Sequence, residues 1–273
     1  MSSISIRTNN AAMDAHNNLV NTSSQLQTSM ERLSSGYRIN TAADDAAGYT
    51  IAQKLNAQVS GLQQAQQNAQ DATSLVQTAE GAMNTVQTML QRVRDLAVEY
   101  NNGTLDSADQ AAITNEVAQL CAEIAQVASQ TSFNGIALLS GGATITFQVG
   151  ANDGQTIAVQ ALNLFGSGAS FDIDSAIFDF SGATVTLASI DSALDSVSQA
   201  DSTFGAVQNR LTDALTNLAS YQENLSAAEG TIQDTDMASE MAHFTSLQVL
   251  QQAGTSMLSQ ANTSQQNILR LFQ

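Results

Sequence analysis

Residues 62–97 read LQQAQQNAQDATSLVQTAEGAMNTVQTMLQRVRDLA, and their spacing decides the fold. Steps of three and four from Leu62 land on Ala65, Ala69, Ala72, Val76, Ala79, Met83, Val86, Leu90, Val93 and Ala97, with no polar slot. A repeat of ~3.5 residues is tighter than the ~3.6 of a free α-helix, so such a helix carries one apolar seam and wraps its partner with a left-handed twist. Alanine at alternate slots lets backbones approach closely, which suits a bundle. Working outward, Asp44 or Asp45 is placed to start the helix, since a carboxylate accepts the free N–H groups of a first turn. Asn101-Asn102-Gly103 is placed to end it after Tyr100. At ~1.5 Å per residue the helix spans roughly 85 Å.

A second seam runs Ile190, Ala193, Val197, Ala200, Phe204, Val207, Leu211, Ala214, Leu218, Tyr221, Leu225 and Ala228, again without a miss. Between the two, Ile113, Val117, Leu120, Ile124 and Val127 form the stripe of a shorter helix capped by Asp106, completing a helical hairpin. The segment from about 130 to 188 changes character. Ile145, Phe147 and Val149 alternate, residues 150–154 offer a turn, and Ile157 and Val159 alternate again, which predicts a β-hairpin. Phe171, Ile173, Val185 and Leu187 predict further short strands.

The two ends are weaker helices of similar style. Ala12, Leu19, Leu26 and Leu33 recur at sevens, but Asn9, His16 and Ser23 occupy the partner slots. Phe244, Leu247, Leu258, Ala261, Ile268 and Phe272 fit a seam interrupted by Gln251, Gly254 and Gln265. Helices this weakly amphipathic need tertiary packing to form. The expected architecture is therefore mainly α: a long antiparallel coiled-coil bundle with a small β-hairpin insert and with N- and C-termini paired. Both ends are expected to be loose alone and to order on association.

Composition agrees. There is no Pro and no Trp, and only 12% of residues are charged. Average usage would supply ~5% Pro, and proline breaks long helices by removing an N–H and crowding the preceding turn. Eight Lys and Arg against 25 Asp and Glu give a net charge of −17, which disfavours nucleic acid and anionic membrane as partners. It also makes copies repel, so self-association has to rest on apolar contact and benefit from salt. Cys121 is the single cysteine, so no intramolecular disulfide is expected; beside the Val117/Ile124 stripe it reads as an inert, partly buried thiol. No secretory signal or transmembrane run appears.

Five ordered motifs carry a family resemblance. MERLSSGYRINTAADDAAG (residues 30–48) resembles the signature of bacterial flagellins, and LQRVRDLA (90–97) resembles their central helix segment. QTSFNG (130–135), VGANDG (149–154) and QQAGTS (251–256) with QAN (260–262) are similar to three more stretches of that family. The resemblance implies a structural subunit of an extracellular filament used in motility. Residues 1–42 and 234–273 would form an inner coiled-coil domain, and 43–233 a surrounding bundle with the β-rich insert. Its assembly helices would carry Leu19, Leu26, Leu33, Phe244, Leu247, Leu258, Ile268 and Phe272. Its intrasubunit seam would include Leu62, Val76, Met83, Val86, Val197, Phe204, Leu211 and Leu218. The family also implies type III export without cleavage of a signal peptide, and as partners many copies of itself, an export chaperone, a filament cap and hook-junction proteins. A Toll-like receptor would contact the positions matched by Leu90, Gln91, Arg92, Val93, Arg94, Leu96 and Glu116. Plant receptors recognise the stretch matched by Met30–Ala52, although Ala43 stands where recognised versions often carry Lys.

Other classes find less support in the residues. His16 and His243 belong to no zinc-binding pattern, and Asp172, Asp174 and Asp179 lack the spacing of a calcium loop, so neither metal nor cofactor is expected. No Gly-x-Ser-x-Gly element surrounds a serine, so no enzyme is expected. A hook–filament junction protein shares the terminal signatures but matches 90–97 and 149–154 less densely. An adhesin using the insert would need a binding face, and no aromatic cluster marks one.

Overall fold

In the computed structural model, the described residues are 8–141, 143–164, 180 and 186–271, with side chains described to residue 266. Their elements run α1 (Asn10–Ser35), α2 (Ala46–Tyr100), α3 (Ser107–Gln130), β1 (Ser132–Phe133), β2 (Ile136–Ala137), β3 (Thr144–Gln148), β4 (Thr156–Gln160), α4 (Leu187–Gln233) and α5 (Met237–Leu271). The chain divides into two compact units: Met1–Ala57 with Asn224–Gln273, and Gln58–Glu223.

In the unit formed by 58–223, every slot of the first seam from Leu62 to Ala97 is buried. The α2 seam packs with Ile124 and Ala128 of α3 and with Ala193, Val197, Ala200, Phe204, Val207 and Leu211 of α4 in one apolar cluster. On the second seam coverage lasts to Leu218 (7% exposed), while Tyr221 is 43% exposed although it occupies a seam slot. A heptad pattern says which face a residue takes, and not whether anything lies opposite.

Helix ends follow the capping carboxylates. Asp45 Oδ1 accepts the N–H groups of Ala47 and Gly48 at the start of α2, both at 3.0 Å. Asp106 Oδ1 accepts those of Ala108 and Asp109 at 2.8 Å before α3. At the far end of α2, the hydroxyl of Tyr100 donates to the Phe180 carbonyl at 2.8 Å, and the two rings meet edge-on at 5.3 Å.

Among its described residues the insert holds two antiparallel hairpins. β3 and β4 pair from Thr144 opposite Gln160 to Gln148 opposite Thr156, with Ile157 and Val159 turned into the core. Within its turn Gln148 Nε2 donates to the carbonyls of Gly150 (2.9 Å) and Asn152 (2.6 Å). The hairpin is fastened to α2 where Asn68 Nδ2 donates to the Gln148 carbonyl at 3.0 Å. Gly61 permits this close approach, since a Cβ there would stand 3.1 Å from the Ala151 methyl.

β1 and β2 form a second hairpin absent from the sequence expectation. Its turn is Asn134-Gly135, with φ of 49° and 80°. That dipeptide is the strongest short hairpin signal, because asparagine and glycine tolerate the left-handed backbone a tight turn requires. Leu187, expected in a strand, instead opens α4 and packs against the cluster that contains Ile190. The helical spacing simply continues one turn upstream. The other strand candidates, Phe171, Ile173 and Val185, lie outside the described residues, as do Asp172, Asp174 and Asp179.

The other unit brings the chain ends together. α1 and α5 pack side by side and antiparallel: Asn9 Nδ2 donates to the Ala261 carbonyl at 3.1 Å, and the Ser29 hydroxyl donates to the Glu240 carboxylate. Both are helical here, and each supplies packing that the other lacks. The connectors at their shared end pair as well. Tyr37 bridges Asp234, Arg38 N donates to the Gln233 carbonyl at 2.6 Å and Thr235 N to the Gly36 carbonyl at 2.9 Å. Ile39 and Ala52 are buried here and Asn56 Nδ2 donates to Glu229 Oε1 at 3.0 Å, so this unit takes in the first turns of α2 and the last of α4.

Candidate subunit interface

The α1–α5 pair buries little. Among the described residues of these helices only Ser29 and Leu247 are buried, whereas α2 buries an unbroken seam. Leu19, Leu26, Leu33, Phe244 and Leu258 are half-buried. The side chain of Ile268 and the whole of Phe272 lie outside the described residues. Outside the seam, Met13 (59%), Val20 (53%), Val249 (65%), Leu250 (53%) and Met257 (63%) stand in solvent. An open groove lined by Met30, Leu33, Phe244, Gln27 and Asn40 adds further apolar surface. Large apolar side chains this exposed along a helix pair mark an interaction surface.

A buried polar contact helps set the register of the pair. Ser29 is 1% exposed and its hydroxyl donates to Glu240, whose carboxylate also lies 3.7 Å from His243 Nδ1. The serine thus faces the acid and not the imidazole, an order that holds two helices in alignment but does not activate a hydroxyl. Ser29→Ala leaves the Glu240 carboxylate without its donor, and is expected to destabilise this unit by ~1–3 kcal/mol. Hydrogen exchange of α1 and α5 amides, compared with those of α2, would register the loss.

A second set of candidates lies on α2. Leu90, Val93 and Leu96 are at most 2% exposed. They belong to the core within this subunit. The heptad rule already places Leu90 and Val93 on the seam. Gln91, Arg92, Arg94 and Glu116 remain at the surface. Arg92 Nε and Nη2 both donate to Glu116 Oε1 of α3, at 3.0 and 2.7 Å, and Arg94 Nε donates to Asp191 Oδ1 of α4 at 2.6 Å. Each carboxylate holds its guanidinium still more firmly protonated. Side-chain exposure of 44–54% leaves both pairs open to water and salt, so their weight falls on orienting the arginines more than on stability. Asp191 was missed by sequence reasoning, because nothing in the sequence shows which α4 acid meets α2.

Cys121 is half-buried on α3, and burial pushes its thiol up to about 11, so it stays protonated near neutrality. Glu80 is raised above its ordinary value by burial and by the charge of Asp201 across the α2–α4 contact. Asp201 Oδ1 is itself sealed from solvent without a donor among the described residues. A carboxyl raised in the folded state binds more protons there than when unfolded. Its favourable contribution is thus present below its ordinary value of 4.5 and is lost as pH rises through the folded value. Glu80→Gln is expected to raise the melting temperature at pH 7 and to shrink the gain that wild type shows on acidification toward pH 5. Thermal melts at the two pH values check it.

Comparison with known proteins gives the geometry its context. The family description "Bacterial flagellin N-terminal helical region" matches residues 6–144, and "Bacterial flagellin C-terminal helical region" matches 187–272. The chain belongs to the bacterial flagellins. A flagellin of Halalkalibacterium halodurans is 44% identical over 269 residues, covering 98% of this chain and 99% of its own. A flagellin of Bacillus subtilis is 40% identical over 301 residues, with the same coverage of each. The 30.7 kDa flagellar filament core protein of Treponema maltophilum is 38% identical over 282 residues, again covering 98% and 99%. As a flagellin, the chain is a structural subunit of the flagellar filament, and the helical segments that carry the family match include both the seam and the underburied pair.

Proposed function

We propose that this flagellin polymerises by burying its α1–α5 pair between copies, with residues 1–42 and 234–273 forming an inner assembly domain and 43–233 a surrounding one. The observation that carries this is the contrast in burial: α2 is sealed within the subunit, whereas only Ser29 and Leu247 are buried among the described residues of α1 and α5. Docking of further copies would tighten two helices that the single chain covers incompletely, and the apolar area removed from water would drive it. The charge of −17 per copy opposes docking at long range, so assembly should strengthen with ionic strength.

Electron microscopy of purified subunit, with salt and short filament seeds added, tests the reading. Filaments of uniform width that no longer form when residues 1–40 are deleted support it. A subunit that stays monomeric in every condition would sink it in favour of a junction protein or adhesin. Export through the type III apparatus without cleavage, and contacts with an export chaperone, a tip cap and hook-junction proteins, belong to the same proposal.

A narrower reading concerns innate immune recognition. Gln91, Arg92 and Arg94 of α2 and Glu116 of α3 are exposed, with the guanidinium of Arg92 fixed by the Glu116 oxygen and that of Arg94 by Asp191 of α4. These exposed groups suit a Toll-like receptor making planar, charge-assisted contacts. Receptor signalling that is unchanged by Arg92→Ala with Arg94→Ala would remove this reading without touching the filament.

A further inference from the structure

The methionines of this chain are sorted by exposure. Met83 is fully buried and Met89 half-buried on α2, whereas Met13 and Met30 on α1 and Met237, Met241 and Met257 on α5 are each 47–63% exposed. The register of the pair arranges four of them in tiers. Asn9 meets Ala261 and Ser29 meets Glu240, so residues on the two helices whose numbers sum to about 270 lie at one level. Met13 is then level with Met257, and Met30 with Met241. Val20 and Leu250, both exposed, share the level one heptad further in from Met13 and Met257. Sulfur therefore stands on both helices at each of two levels of the α1–α5 surface.

We infer that Met13, Met30, Met241 and Met257 form a reversible oxidation site through which peroxides, or other two-electron oxygen donors, block docking of the unassembled subunit. This rests on the proposal that the α1–α5 pair is buried between copies. In the step, the thioether sulfur attacks one peroxide oxygen; an S–O bond forms and the O–O bond breaks. Sulfur gives up two electrons, the transferred oxygen releases its proton to the departing hydroxide, and water leaves. The product is a sulfoxide, polar and chiral where the thioether was apolar and adaptable. Burying it against a second copy strands a hydrogen-bond acceptor, and the strain is repeated at every contact along a polymer. Reduction of the sulfoxide restores the surface. The thiol of Cys121 is no competing target, being half-buried and protonated, and Met83 is shielded by the core.

The test uses the full chain and hydrogen peroxide. Mass mapping after a timed exposure should find sulfoxide at the exposed methionines at least tenfold ahead of Met83. Seeded polymerisation of that material should fall tenfold or more, with helicity retained, and should return after treatment with methionine sulfoxide reductases. A variant carrying Met→Leu at 13, 30, 237, 241 and 257, which keeps side-chain volume, should polymerise equally before and after peroxide. Polymerisation of the mapped sulfoxide form at the untreated rate would overturn the inference alone. So would an equal loss in the leucine variant. Failure of untreated wild type to polymerise would instead overturn the filament reading on which it stands.

Discussion

Phe204→Ala is expected to destabilise the 58–223 unit by ~3–5 kcal/mol, the range for a phenylalanine removed from a packed core. Phe204 is 3% exposed and belongs to the cluster that joins α2, α3, α4 and the β3–β4 hairpin. Ala200, one turn earlier on α4, is fully buried and cannot extend into the void. With total stability of a domain at ~5–15 kcal/mol, the loss is a large fraction of the whole, and the melting temperature should drop by roughly 10 °C. Tyr221→Ala makes the comparison sharp. Tyr221 occupies the same kind of heptad slot on the same helix but is 43% exposed, so its removal should cost about 1 kcal/mol or less. Urea unfolding followed by circular dichroism measures both. Equal losses at the two positions would mean that burial around Phe204 is not what holds the bundle.

That pair of residues also shows where the sequence is legible. The 3/4 spacing from Leu62 to Ala97 named a buried face, and every slot on it is buried, because over a long helix a single polar intrusion would have broken the seam. Asp106 was readable as a cap and the α2 cap was narrowed to Asp44 or Asp45, since a free carboxylate ahead of an apolar run has an obvious use there. Facing partners were not readable. The pattern assigns Tyr221 to the seam but is silent on what covers it, and it gives no hint that Arg94 meets Asp191, a residue 97 positions away. Family likeness is coarser at Leu90, Val93 and Leu96. It assigns a whole segment to a contact, whereas helical geometry turns these three inward and leaves Gln91, Arg92 and Arg94 outside. Short-range chemistry accounts for the remainder: Asn134-Gly135 announces a hairpin that was overlooked, and Leu187 begins a helix because its neighbours on the seam are one turn away.

Introducing aspartate at Val20 and Leu250 together is expected to abolish polymerisation while leaving the subunit folded. Both side chains are 53% exposed in the single chain, so the change costs little there. Between copies, each aspartate would bring an unpaired charge into an apolar contact, a cost of several kcal/mol per site. At ~1.4 kcal/mol per tenfold, a loss of 3 kcal/mol weakens each docking step by about 100-fold, and a polymer multiplies that at every addition. The acidity of the subunit compounds the effect by adding like charge to a surface that already repels. The cleanest comparison places the same substitution elsewhere: Val98, 52% exposed on α2 in the other unit, changed to aspartate should leave assembly near wild type. Seeded polymerisation of the Val20→Asp/Leu250→Asp subunit, followed by sedimentation and electron microscopy beside wild type and Val98→Asp, is the measurement that matters most. The account predicts helical monomers that neither extend seeds nor sediment. Filaments growing from that subunit at the wild-type rate would contradict it, and would move the interface away from the α1–α5 pair.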